Sequence, residues 1–211
     1  MRLFELAGVY DADFATFIVL AAMTGARRSE LLALRWSDID YKGGRITFAR
    51  GIVFGTEGLV EKDTKTHAVR RVALDPRTAE VLAAHHERVN ERAAQCGAVI
   101  ASDAYVFSHE PDGSEPWRPD STTRAFRLLL AKAGLRGVRL HDLRHYVATQ
   151  LLAAGVDVRT VAGRLGHRNA STTLNVYSHF LQDADEQAAN VLAKLLDQNA
   201  QVPTQADEDT K

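Results

Sequence analysis

The pentapeptide HDLRH, residues 141–145, opens a predicted helix and carries side chains suited to binding an anion. His141 and Arg144 are three residues apart, so they lie on one face of a helix, where an imidazole and a planar guanidinium fork suit a phosphate. A zinc site is the alternative, because His141 and His145 have the i, i+4 spacing of helical zinc ligands. However, Asp142 stands where such zinc hydrolases carry glutamate, and no third ligand stands out. For the pentapeptide alone, solvent-exposed charge on a helix surface is the simplest interpretation.

A second group of cations lies in TGARRSE, residues 24–30. Arg27 follows a glycine break just before a predicted helix, where free backbone N–H groups also favour anions. Glu30 is three residues further on, at a spacing that allows it to hold Arg27 in place. Arg28 and Arg35 are interpreted as exposed structural charges.

Three further residues are ordinary when each is taken alone. Lys65 lies in a polar loop before a predicted strand, where a surface lysine is expected. His167 follows a glycine in Leu-Gly-His, and Tyr177 comes ten residues later, where a half-buried packing role is common. Tyr146 lies roughly 200° around its helix from Arg144 and is interpreted as core.

The order and spacing of these groups resemble the tyrosine recombinase (phage integrase) family. The shared pattern is Thr-Gly-x-Arg-x-Ser-Glu, a lysine before a strand, His-x-x-Arg-His, Leu-Gly-His, and a tyrosine in a Tyr-Ser-His context. It runs from about residue 10 to about residue 182, which is most of the chain.

The resemblance implies a role for each of these residues. Arg27 and Arg144 are then the two phosphate-binding arginines, Tyr177 is the nucleophile and Glu30 is a supporting acid. The remaining acid/base and hydrogen-bonding residues are Lys65, His141 and His167. With all six expected active-site positions filled, a non-catalytic DNA-binding relative is disfavoured.

By the same resemblance the chain is a site-specific DNA recombinase that cuts and rejoins strands through a 3′-phosphotyrosine intermediate. It needs no metal ion or other cofactor, and the sequence carries no Walker glycine-lysine loop. Its partners are double-stranded DNA sites and further copies of itself, as a tetrameric synapse on DNA. A nearby alternative is a type IB topoisomerase, which uses the same tyrosine chemistry to relax DNA.

The charge distribution is compatible with a DNA partner although the net charge is only −1. Residues 121–180 hold nine Lys and Arg against Asp142 and Asp157, which gives +7. Such a basic segment suits a phosphate backbone, although a solvated basic face would have the same composition.

The elements that must position these residues are predicted to be mostly helical, in an α+β fold with a small antiparallel β-sheet on one edge. Helix caps and glycine breaks indicate where each helix begins and ends. The predicted strands are 45–50, 51–54 and 67–74, with Lys42-Gly43-Gly44 and the polar segment 61–66 as breaks. The predicted helices run from Asp11 to Thr24, from about 29 to 36, 76–94, 120–133, 141–154, 157–165, 170–179 and 184–197.

These elements divide into a catalytic domain over residues 1–182, a C-terminal helix at 183–198 and a disordered acidic tail at 199–211. The amphipathic C-terminal helix docks either on its own domain or on a neighbouring protomer. Family members usually carry a separate N-terminal DNA-clamping domain, so the chain is either a fragment or a minimal enzyme. A cytoplasmic, membrane-free protein is expected, because Cys96 is the only cysteine and no apolar run reaches spanning length.

Overall fold

The computed structural model describes residues 2–56, 58–63 and 69–167. Over these ranges the chain is mostly helical and carries short antiparallel strands, so the predicted α+β class is confirmed. The helices are α1 (Arg2–Tyr10), α2 (Ala12–Thr24), α3 (Arg28–Leu32), α4 (Pro76–Gln95), α5 (Pro119–Ala133), α6 (Asp142–Ala153) and α7 (Val158–Leu165). The strands are β1 (Ile39–Asp40), β2 (Arg45–Phe48), β3 (Arg50–Gly55), β4 (Gly58–Asp63) and β5 (Arg70–Ala73).

Helix α2 forms the centre of the core because its sequence, ADFATFIVLAAMT, is apolar on nearly every face. Phe17 and Ile18 are fully buried, and α1, α4 and α6 pack around the helix. The carboxylate of Asp11 caps its start by accepting from two backbone N–H groups, and Gly25 ends it with φ of 63°. Both predicted ends of this helix are therefore confirmed.

The described strands form two antiparallel sheets, whereas a single small sheet was expected. Strands β1, β2 and β5 form one antiparallel sheet, whereas β3 and β4 form a separate two-stranded hairpin inserted between β2 and β5. Part of the segment predicted as a polar break is the end of β4. The prediction was wrong because an exposed hairpin strand needs no apolar alternation, and Glu61 is instead held by an ion pair with Arg35.

The predicted helix 29–36 is too long. Helix α3 ends at Leu32, and the chain then runs as an extended segment whose Leu34 carbonyl accepts from Val106 N. All of Leu31–Leu34 is buried, so the apolar run did not reveal where the helix stops. The exposure expected for Arg35 is also wrong, because its guanidinium lies 4.4 Å from the centre of the Tyr105 ring.

Helices α6 and α7 pack through a small apolar cluster that includes Val147, Leu152 and Leu165. Their bounds, and those of α4 and α5, agree with the predicted helices to within a few residues. The predicted helices 170–179 and 184–197 lie outside the described residues, as do the expected domain limits near 182 and 198. In the ranges that are described, none of the helices is long and apolar enough to cross a bilayer.

Candidate active site

Arg144 lies at the centre of the candidate site. It projects from the first turn of α6 and is only 3% exposed, so its charge is largely removed from water. Its Nη1 donates to the carbonyl of Gly25 at 2.6 Å, whereas its Nη2 is buried with no hydrogen-bond partner in the described part of the chain. A buried donor without a partner costs about 1–3 kcal/mol, so a further acceptor beside this nitrogen would be stabilising.

The charged groups around Arg144 are mostly positive. Burial and repulsion from Arg27 and Arg70 lower its pKa to about 9, although the carboxylate of Glu30 opposes the decrease. Glu30 is the only acid among these groups. An anion bound beside Arg144 would therefore relieve both the repulsion and the missing hydrogen bond.

Arg27 is held by Glu30, three residues further along the chain. Its backbone N donates to one carboxylate oxygen at 2.9 Å and its Nη1 to the other at 2.7 Å. Glu30 is 5% exposed, whereas the Arg27 side chain is 44% exposed and its Nη2 lies 3.3 Å from the carbonyl oxygen of Gly166. The arrangement fixes the base of Arg27 and leaves its guanidinium open to a ligand.

The second partner of Glu30 is Arg70, which inspection of the sequence missed. Arg70 begins β5, is 8% exposed and forms an ion pair with the carboxylate of Glu30. Its Nη1 also donates to the carbonyl of Arg164 at 2.6 Å. In the sequence it is one of several arginines in a polar stretch, and the only local signal is its place at the start of a strand.

Histidines lie close to Arg27 and Arg144. His141 and His145 stand edge to face, 4.8 Å between ring centres, on the first turn of α6. Burial and then the neighbouring His145 and Arg144 lower the pKa of His141. Burial, together with the charges of Arg144 and Arg27, lowers the pKa of His167 to about 4. A lowered pKa favours the neutral imidazole of His141 and His167, which can donate a hydrogen bond to a bound anion.

Two glycines allow these segments to approach one another. A Cβ on Gly25 would lie 2.3 Å from Cδ2 of Leu165, and Gly25 has φ of 63°. Gly166 has φ of 69°, and a Cβ there would lie 3.0 Å from Nε of Arg70. A side chain at either position would push α7 away from α2 or β5, and with it the turn that carries His167.

A groove of about 540 Å³ opens beside Arg27 and His141. Its rim carries the exposed arginines Arg28, Arg127 and Arg139 and one acid, Asp120. The groove thus presents mostly positive charge next to the candidate site, as a polyanion would require.

The structure brings together five of the residues singled out from the sequence, which are Arg27, Glu30, His141, Arg144 and His167. Lys65 and Tyr177 lie outside the described residues. Tyr146 is 54% exposed, so its interpretation as a core residue is wrong. In residues 2–56, 58–63 and 69–167, no three His, Cys, Asp or Glu side chains meet as they would to hold a metal ion, so the zinc alternative gains no third ligand there.

Comparison with known sequences adds independent information. The model of the phage integrase family matches residues 7–183. The ICEBs1 integrase of Bacillus subtilis is 31% identical over 184 residues, which are 87% of this chain and 49% of that protein. A XerC-like tyrosine recombinase of Caldanaerobacter subterraneus is 30% identical over 84% of this chain and 48% of its own length. The chain thus spans about half the length of the curated relatives it matches.

Solved structures share the fold. The Tn1549 transposon integrase in complex with transposon right end DNA superposes with a TM-score of 0.75 at 22% identity, over 91% of this chain and 63% of that one. The XerA recombinase gives a TM-score of 0.65 at 26% identity, over 89% of this chain and 61% of that one.

Proposed function

Because the chain belongs to the phage integrase family, we propose that residues 1–182 are the catalytic domain of a site-specific DNA recombinase. It cuts and rejoins DNA strands through a 3′-phosphotyrosine intermediate. The relatives and solved structures above are named as integrases and recombinases, so relaxation of DNA by a topoisomerase-like reaction is not favoured.

The observation that carries this proposal is the buried Nη2 of Arg144, which has no hydrogen-bond partner among the residues that the structure describes. It belongs to a cluster in which the arginines 27, 70 and 144 share a single carboxylate, that of Glu30. A phosphodiester is a monoanion with two non-bridging oxygens, which matches an excess of cationic N–H donors. Charge accumulates on those oxygens in the transition state, where positioned guanidinium groups stabilise it most.

The proposed reaction is a transfer of the phosphoryl group between two oxygens. The phenolic oxygen of Tyr177 attacks phosphorus while the bond to the 5′-oxygen of the DNA breaks. A free tyrosine has a pKa of about 10, so its proton passes to water during attack, and cations nearby favour that loss. Lys65 donates a proton to the departing 5′-oxygen, while His141 and His167 hydrogen bond to the phosphate. The reverse reaction with a different 5′-hydroxyl rejoins the strand without ATP.

The partners follow from the same chemistry. Double-stranded DNA is the substrate, and the arginine-lined groove beside Arg27 supports its binding. The Tn1549 integrase and the XerH recombinase were solved with DNA. Exchange of strands between two sites needs several protomers, so we infer a homo-oligomer on DNA, a tetramer in the complete synapse. Residues 183–198 are proposed to dock on a neighbour, and truncation after Phe180 would then weaken multimers on DNA while single-site cleavage persists.

The decisive experiment is capture of the covalent intermediate. The protein is incubated with a pool of nicked suicide duplexes whose sequence around the nick is randomised. Adducts that survive denaturant are isolated and their DNA is sequenced, which also yields a cleavable duplex. Tyr177→Phe removes one hydroxyl and should abolish the adduct with folding and DNA binding intact.

Tyr146→Phe is the matched control, because this exposed tyrosine lies two residues from Arg144. It should form the adduct as the unchanged protein does. An adduct that persists in Tyr177→Phe but disappears in Tyr146→Phe would move the nucleophile to Tyr146. No adduct from the unchanged protein with any duplex would refute the recombinase proposal.

A further inference from the structure

Arg70 is a charged side chain that the proposed reaction does not use. It nevertheless contacts Glu30, which holds Arg27, and the end of α7, which leads to His167. It faces Phe48 across the β2–β5 pair, and its guanidinium lies 4.6 Å from the centre of that ring. The contact with the ring helps to shield the guanidinium from solvent. Its Nη2 pairs with Glu30 and its Nη1 donates to the carbonyl of Arg164.

The first contact acts on Arg27. Glu30 gives one carboxylate oxygen to Arg27 Nη1 and shares the other between the backbone N of Arg27 and the Arg70 guanidinium. Without Arg70, Arg27 would be the only arginine among the described residues that forms an ion pair with the buried carboxylate. Because Arg70 supplies the counter-charge, the positive charge of Arg27 remains available to a phosphate.

The second contact acts on the turn that carries His167. Arg164 lies in the last turn of α7, where backbone carbonyls have no partner within the helix, and Arg70 satisfies one of them. Gly166 lies close to the same side chain, since a Cβ there would be 3.0 Å from Nε of Arg70, and its carbonyl accepts from Arg27. The side chain of Arg70 thus bridges the segment that holds Arg27 and the segment that leads into His167.

We propose that Arg70 is a positioning residue that sets the separation between Arg27 and His167 across the phosphate site. This inference rests on the function proposed above. Arg70 is 8% exposed and its guanidinium is bound to protein groups, so it has little surface with which to contact DNA. Its loss should therefore slow the chemical step far more than it weakens DNA binding.

The test compares Arg70→Gln and Arg70→Lys with the unchanged protein on the duplex selected as above. Single-turnover cleavage at saturating protein gives two numbers, the rate constant and the fraction of protein that reacts, and a separate titration gives Kd for the duplex. A misplaced site lowers the rate constant, whereas a loss of folded protein lowers the reacting fraction. Arg71→Gln is the matched control, because Arg71 is the next residue on β5 and is exposed.

Arg70→Gln should lower the rate constant about 10- to 100-fold, since small misplacements of reacting groups cost this much. Arg70→Lys should lose about tenfold, because an ammonium can face Glu30 but cannot also reach the Arg164 carbonyl. Arg71→Gln should keep the rate constant of the unchanged protein. If Arg70→Gln does not fold, Arg70→Lys, which retains the charge, decides the question in the same assay.

Two results would refute the positioning role of Arg70 and leave the proposed recombinase function intact. One is a normal rate constant with a reduced reacting fraction in both Arg70 variants, which would make Arg70 a purely structural residue. The other is an equal loss of rate in Arg71→Gln, which would assign the effect to the charge of the strand. Failure of the unchanged protein to form any adduct would instead refute the recombinase proposal, and the role of Arg70 with it.

Discussion

Arg144→Lys separates the charge at the proposed phosphate site from the geometry of its donors. The guanidinium presents a rigid planar fork, whereas an ammonium is a compact charge at the end of a flexible stem. In the structure Nη1 is committed to the Gly25 carbonyl at 2.6 Å and Nη2 is the donor left over in the described part of the chain. A lysine can replace the first bond, but it cannot aim a second donor from the same rigid plane.

The size of the effect follows from that single donor. Removing one positioned donor from a charged transition state costs on the order of 100- to 1000-fold in rate, or about 2.7–4 kcal/mol. Binding should change much less, because a DNA interface distributes its affinity over many phosphate contacts, and we expect Kd to rise by about threefold or less. Folding should persist, since the buried charge and one hydrogen bond remain.

The assay is single-turnover cleavage of the selected suicide duplex, with Kd measured by fluorescence anisotropy in the same buffer. Arg77→Lys is the control, because Arg77 stands on the first turn of α4 with its side chain 86% exposed. Arg35 is unsuitable for this purpose, since it is half-buried and paired with Glu61. Cleavage by Arg144→Lys within about threefold of the unchanged protein would contradict the bidentate role. Equal losses in Arg144→Lys and Arg77→Lys would contradict it as well.

Three further outcomes are expected. Cleavage should proceed in excess EDTA, and loss of cleavage that zinc or magnesium restores would reject the arginine-based chemistry. Gly25→Ala should lower the free energy of unfolding by about 2–4 kcal/mol, because it combines positive φ with a clash against Leu165. Gly134→Ala, at φ of 70° in open space, should lower it by only about 1 kcal/mol. Equal losses for the two variants in urea unfolding would contradict the clash with Leu165. Burial raises the pKa of Asp13, but the hydrogen bond and charge of His85 and two arginines hold the pKa well below 3.8. The ionised carboxylate therefore stabilises the fold above pH 3.8, and this contribution is lost as the pH falls further. Asp13→Asn should flatten the pH dependence of the unfolding free energy in this acid range, and an unchanged pH dependence would disprove the assignment.

Much of the helical framework could be predicted because its ends are marked by local chemistry. Asp11 caps α2, Asp75 caps α4, and Gly25, Gly134 and Gly166 end helices in the left-handed conformation. Each signal depends on residues within one turn of one another, so it can be read from sequence.

Strand β4 and the end of α3 could not be predicted in this way, although β3 was. The second half of β4 is polar and is held by side-chain pairs with distant segments, such as Glu61 with Arg35 and with the Tyr105 hydroxyl. The extended chain after Leu32 is fixed by backbone bonds to residues near 105. Both depend on partners far along the chain, which periodicity does not reveal.

The sequence by itself determined which chemical groups are available, because the order of Arg27, His141, Arg144 and His167 is a property of the chain. Only the tertiary structure decided how deeply each of these side chains is buried and which groups it contacts. Arg144 reaches a carbonyl 119 residues away, and Arg27 reaches one 139 residues away. The burial of Arg144, and the lack of a partner for its Nη2 within the described residues, arise from packing between such distant segments, and they single out Arg144 as the proposed phosphate-binding residue. For the same reason Arg70, a surface charge by its local sequence, is a buried support of that site.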